Sequence, residues 1–210
     1  MNLSKWTLAL AIGAAGAFAA SSLTAQDSHG RAAHDDHAHA AQDAGAEMQM
    51  PPEFSPGPQH KMLDPFVGEW DATVKFWMEP GATPQESKGK SSSKWALDGR
   101  WVIEEFTGNF DGQPFKGIST TGYDPFKKKY VSTWIDSMST TMMIMEGTAD
   151  PTGKTFGYTA TAYDPFVGAE TTTKTVITVD SHDQHTMRMF MVMPDGNQFQ
   201  SMEIVYTRAK

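Results

Sequence analysis

Trp70-Asp-Ala-Thr-Val-Lys-Phe76 decides the fold. Trp70, Ala72, Val74 and Phe76 alternate with Asp71, Thr73 and Lys75, and a period of two places the apolar set on one face of a strand. Turn signals then recur roughly every ten residues: Pro80-Gly81, Asp98-Gly99, Asp111-Gly112, Asp124-Pro125, Asp150-Pro-Thr-Gly153, Asp164-Pro165 and Pro194-Asp195-Gly196. The runs between them are rich in Thr, Val, Ile, Tyr, Phe, Trp and Met, and most of these residue types suit a pleated, half-buried surface. Short strands at even spacing predict an all-β antiparallel sandwich or barrel. About ten strands are expected, over 69–78, 88–97, 100–108, 114–123, 129–136, 141–148, 155–162, 171–180, 185–193 and 197–207, and no segment after 69 has helical periodicity. Short links favour an up-and-down meander, and closing it into a barrel removes the exposed edges.

Upstream the composition changes. Residues 1–25 read as a signal peptide: Lys5 is a short basic region, Trp6 to Ala20 an apolar stretch, and Ser21 to Ala25 small residues suited to cleavage. The apolar stretch is shorter than the ~20 residues of a membrane-spanning helix. The expectation is therefore an exported protein, periplasmic or extracellular, soluble and without a membrane anchor once the signal is removed. Residues 26–58 are rich in Ala, Asp, His, Gln and Pro, too poor in branched and aromatic side chains to offset the entropy of ordering. They read as a disordered linker, and residues 59–210 as the barrel domain. The chain has no cysteine, which excludes disulfides, thiol catalysis and a cysteine-linked lipid anchor. The net charge is −8, and the one basic run, Lys127-Lys128-Lys129, falls in a predicted turn, so a nucleic-acid surface is not expected.

Several groups carry possible chemistry. If Asp98-Gly99 forms a tight hairpin, Leu97 pairs with Arg100, Trp95 with Val102, and Ser93 with Glu104. Trp95, Leu97, Val102 and Phe106 then share a face with Glu104. Pointing inward, Glu104 would be a buried carboxylate in need of a partner, for which Arg188 and Arg100 are candidates. Pointing outward, it would be solvated. Trp134 and Asp136 likewise share a face. Met187, Met189, Met191 and Met193 alternate on one strand and Met143 and Met145 on another, either as an adaptable apolar lining or as soft ligands for Cu(I). His29, His34, His37 and His39 in the linker are candidate zinc or copper ligands, at a spacing that fits no defined structural site. His182 and His185 flank a turn and read as surface residues. No nucleophile–base motif, phosphate loop or zinc-protease motif is present.

Leu63-Asp-Pro-Phe-Val-Gly-Glu-Trp70 carries a resemblance. A Gly-x-Trp opening the first strand looks like the start of lipocalins and their relatives, where the Trp plugs one end of the barrel and packs against a late Arg. Gly68, Trp70 and Arg208 are the matching positions. Gly122-Tyr-Asp124, Tyr130 to Met138, Pro194-Asp-Gly196 and Met202 to Arg208 together resemble the bacterial family called domain of unknown function 1579. The resemblance implies a calycin-like barrel over roughly residues 60–208 and no established activity. The lid helices and last-strand Arg-x-Tyr of fatty-acid-binding proteins are absent, as are the closing helix of lipocalins and the Gly-rich opening of haem-binding nitrobindin-type barrels. The leading expectation is a barrel that binds a small, largely apolar ligand, through Trp95, Glu104, Trp134, Asp136, Arg188 and Met189, with no cofactor. The alternatives are metal handling through the His tract and Met strands, and a filled barrel whose outer face serves a structural or interaction role. Nothing in the sequence sets the oligomeric state.

Overall fold

The computed structural model describes residues 51–164, 169–193 and 195–210. The expected signal peptide, the linker up to residue 50 with its four histidines, and the turn residues Pro165 and Pro194 lie outside them. The ten strands are β1 (Gly68–Phe76), β2 (Gln85–Ala96), β3 (Trp101–Phe110), β4 (Gln113–Asp124), β5 (Lys129–Asp136), β6 (Met143–Ala149), β7 (Thr155–Asp164), β8 (Ala169–Ser181), β9 (Gln184–Val192) and β10 (Gln198–Arg208). Each pairs antiparallel with its sequence neighbours, and β10 pairs with β1 to close the barrel. All ten strands fall where period two and the turn signals put them, with ends shifted by at most a few residues.

Turn chemistry sets the register. At Asp111-Gly112 both residues have positive φ and Phe110 pairs with Gln113, the two-residue turn whose twist matches the flanking strands. The Asp98-Gly99 hairpin keeps the expected register, Trp95 with Val102 and Ser93 with Glu104. Its turn is longer than two residues, however. Leu97, Asp98 and Gly99 all take positive φ, and the Arg100 N–H donates to the Ala96 carbonyl. Leu97 is consequently exposed in the loop and does not join the face of Val102.

Cross-strand partners point the same way, so the pairings define the inner face row by row. One row is Gly68, Ser93, Glu104, Ser119, Trp134 and Met143. The next is Arg208, Trp70, Ser91, Phe106, Gly117 and Asp136. Trp70, Phe106, Tyr130, Phe156, Tyr158, Ile204 and Tyr206 are buried on this face, which identifies it as the interior.

One end of the barrel is closed by the chain that leads into β1. A 3-10 turn at Pro52–Phe54, a short helix α1 (Pro58–Lys61) and a second 3-10 turn at Asp64–Phe66 bring Leu63, 1% exposed, against Val102, Tyr130, Phe156 and Tyr158. The cap starts inside the stretch expected to be linker. It is tied down by Trp70 Nε1 donating to the Phe66 carbonyl (2.9 Å), Trp95 Nε1 to Asp64 Oδ1 (3.0 Å), and the Tyr130 hydroxyl to the Gln59 carbonyl (3.0 Å). Arg208 completes the plug. Its guanidinium lies 4.2 Å over the Trp70 ring and donates to the Val67 and His182 carbonyls. Gly68, at φ +139°, lets this happen, since a Cβ there would collide with the Arg208 guanidinium. Among the described residues no helix is long and apolar enough to cross a membrane.

Candidate functional site: the barrel interior

Away from the capped end the interior changes character. Glu104, Ser119, Thr121, Trp134, Asp136, Met143, Met145, Met187, Met189 and Met191 all lie on the inner face, and all keep part of their surface accessible. Glu104 lies on the inner face and keeps part of its surface accessible.

Glu104 is the polar centre. The Ser91 hydroxyl donates to its Oε1 at 2.7 Å, and the Tyr206 hydroxyl on β10 is its second partner. Burial, the largest effect, raises the carboxyl above the usual carboxylate range, and the two hydroxyls pull the other way. Burial first, and then the neighbouring Glu104 carboxyl, push the Tyr206 phenol well up. The neighbouring wall adds hydroxyls: Thr121 Oγ1 and Ser132 Oγ lie 2.8 Å apart, with Ser119 Oγ 3.5 Å from each. Trp134 Nε1 donates to Asp136 Oδ2 (3.0 Å), which fixes the indole towards the lumen. Its ring lies over Gly117, where a Cβ would clash, stacks with Phe115 at 6.3 Å and meets Phe106 edge-on. Opposite stands a sulfur-rich wall, on which Met189 pairs with Met202 and Met187 with Ile204. Thr175, beside Met189, has a buried hydroxyl with no partner among the described residues.

The sequence-derived candidates separate as follows. Glu104, Trp134, Asp136 and Met189 share the lumen. Trp95 is on the same face but belongs to the cap through its bond to Asp64. Arg188 sits on the outer face between Met187 and Met189, paired with Glu203 at 2.9 Å, so it does not neutralise Glu104. Arg100 is in the β2–β3 loop, donating to the Leu97 and Phe54 carbonyls. Met193 falls past the end of β9. His185, expected at the surface, is instead buried, stacked on Tyr206 (4.4 Å) and edge-on to Trp70 (4.4 Å). Burial above all, with Arg208 adding, lowers its imidazole to about 4 against the opposing pull of Asp180, and its Nδ1 has no partner among the described residues. Tyr206 and His185 were missed at the sequence level, although Tyr206 is two residues from Arg208 and period two joins them. Among the described residues no group of three or more His, Cys, Asp or Glu could hold a metal ion.

Among the described residues the shortest ladder is the one between β6 and β7. β6 and β7 share four residue pairs, Glu146–Ala149 with Phe156–Thr159. Towards the uncapped end Met143–Met145 pair only with β5, and Ala160–Asp164 only with β8. Two depressions lie on the outer wall, one beside Gly147 and Gly157 and one beside Gly89 and Gly108.

A closed, ten-stranded, up-and-down barrel with a Trp–Arg plug at its base is a calycin-like, lipocalin-type barrel. Within that class the chain belongs to the family described as Protein of unknown function (DUF1579), which matches residues 55–208. Its fold is similar to that of Rv2717c from M. tuberculosis, at 14% identity and a TM-score of 0.55, covering 74% of this chain and 100% of that one. It is also similar to the S-type phycobiliprotein lyase CPES from Guillardia theta, at 12% identity and a TM-score of 0.52, covering 72% and 93%. No curated protein matches the chain.

Proposed function

We propose that this protein binds a small, largely apolar molecule inside the barrel. The observation that carries the reading is that mid-barrel inner-face side chains keep accessible surface while ten strands close around them. Barrels of about eight strands are already wide enough to hold one small ligand. Aromatic and thioether side chains with a few converging polar groups are the usual lining of such sites. The break in the β6–β7 ladder, beside Met143 and Met145, supplies a route in. We further place this activity outside the cytoplasm, on the strength of the leader at residues 1–25. A mature N-terminus that follows Ala25 would support that placement, and an intact leader would overturn it.

Native mass spectrometry of protein purified from its own host tests the binding reading, together with Nile red fluorescence. A copurified adduct, or blue-shifted Nile red emission that a lumen substitution weakens, is the expected result. Absence of both rejects it.

A further inference from the structure

We infer that the lumen selects an amphipathic cation, an apolar body with a protonated amine, for which Glu104 supplies the counter-charge. This rests on the lumen being the binding site and adds the sign of the ligand's charge.

Every strand lysine, from Lys75 and Lys88 to Lys129 and Lys174, alternates with inward residues and lies on the outer wall. Arg188 is outside as well. Among the inward strand residues described, the basic groups are Arg208 and His185, both committed to the plug around Trp70. Among the inward side chains described, the acids are Glu104 and Asp136, on adjacent rows. The lumen is therefore acidic, and its one guanidinium is already spent on the Trp70 ring and two carbonyls.

Glu104 is incompletely coordinated. An ionised carboxylate offers about four acceptor positions. Ser91 and Tyr206 account for two, and none of the ion pairs among the described residues includes Glu104. A charge placed there is costly until a cation joins it.

Trp134 lies on the same row as Glu104, with Phe106 and Phe115 against it. Aromatic faces attract ammonium groups, and the thioether wall accepts an adaptable apolar body. A carboxylate ligand would meet like charge in a desolvated site with no free cation to receive it.

Isothermal titration of the full chain with three probes of one chain length decides the matter: decylammonium, decanol and decanoate at neutral pH. Decylammonium should bind about tenfold tighter than decanol, and decanoate more weakly than either. Decylammonium affinity should rise as the pH is raised from the acid side, because a cation favours the ionised form of Glu104, whose carboxyl burial holds above the usual carboxylate range. The titratable groups that face Glu104 or lie next to it are Tyr206 and Asp136, with His185 behind Tyr206. Glu104→Gln should abolish the preference for decylammonium over decanol. Decanoate or decanol binding as tightly as the amine would overturn the charge assignment while leaving the lumen reading in place. Amine binding that Glu104→Gln does not weaken would place the cation on the acidic outer surface and also overturn it. If no probe binds and Nile red stays dark, the lumen reading falls and this inference with it. The head-group comparison and the pH dependence are read on the wild-type chain, so they decide the question even if Glu104→Gln does not fold.

Discussion

The two ends of the barrel use one architecture for opposite purposes. At the capped end, Leu63, Trp70 and Phe156 are almost wholly inaccessible, and Arg208 is tied to three groups at once. Farther along, the same strands present Glu104, Trp134 and the methionines to a lumen that leaves them partly accessible. A dry, close-packed region supplies most of the stability of a fold, and a cavity lined by partly accessible groups supplies little. Stability and binding are thus divided along the length of the strands, and substitutions at the two ends should behave differently.

The sharpest way to break this division is a pair of tryptophans. Trp70→Ala empties a fully buried site and strips Arg208 of its ring, so it should cost about 3–5 kcal/mol in urea unfolding. Trp134→Ala removes a ring that already faces the lumen. It should cost clearly less stability, yet weaken Nile red binding more than any substitution at the cap. Equal stability losses would show that the two ends do not differ.

The next effect is the acid sensitivity of the plug. His185 is held neutral down to about pH 4 in the folded state, against an ordinary value of 6.5. The unfolded chain therefore takes up a proton in a window where the folded chain resists it, and stability falls as pH drops from 6.5 towards 4. The shift corresponds to about 3 kcal/mol. Glu104, raised by burial, acts in the opposite sense, losing stability as pH rises above the ordinary carboxylate value. Comparing urea midpoints across this window for wild type and His185→Phe isolates the histidine. The variant should lose most of the slope, and an unchanged slope would mean that His185 is not what makes the plug acid-labile.

Smaller again is Ser91→Ala. It removes the 2.7 Å hydrogen bond to Glu104 and should cost about 1 kcal/mol. Because the carboxyl also faces the lumen, the loss should shrink when a cationic ligand is present. A loss unaffected by ligand would separate Ser91 from the binding site.

These contrasts also mark what the sequence discloses. The ten strands are legible because Thr-, Val- and aromatic-rich runs keep period two between Asp-Gly, Asp-Pro and Pro-Gly breaks, and each signal is local. The Ser93–Glu104 register is legible from Asp98-Gly99 for the same reason. Which face turns inward is not local: it depends on Trp70 meeting Arg208, 138 residues later, when β10 closes on β1. His185 reads as a turn residue until that closure puts Tyr206 against it. Thr175 reads as one Thr among many until its hydroxyl is buried without a partner.

Arg188 is the instructive case, and it gives the smallest expected effect. A partner for a buried Glu104 is a reasonable demand of an arginine near Met189, but adjacent residues of one strand face opposite ways. If Met187 and Met189 are inside, Arg188 cannot be. The structure pairs it with Glu203 on the outer wall, where its side chain is 40% exposed. An ion pair so placed contributes little, because water screens it and two long side chains must be held still. Arg188→Ala should therefore change stability by no more than about 0.5 kcal/mol and leave decylammonium affinity unchanged. A rise in that affinity would mean that the Arg188 charge reaches Glu104 through the wall, and a fall would mean that the arginine supports the lumen. Either result would break the separation of inner and outer faces on which the charge reading depends.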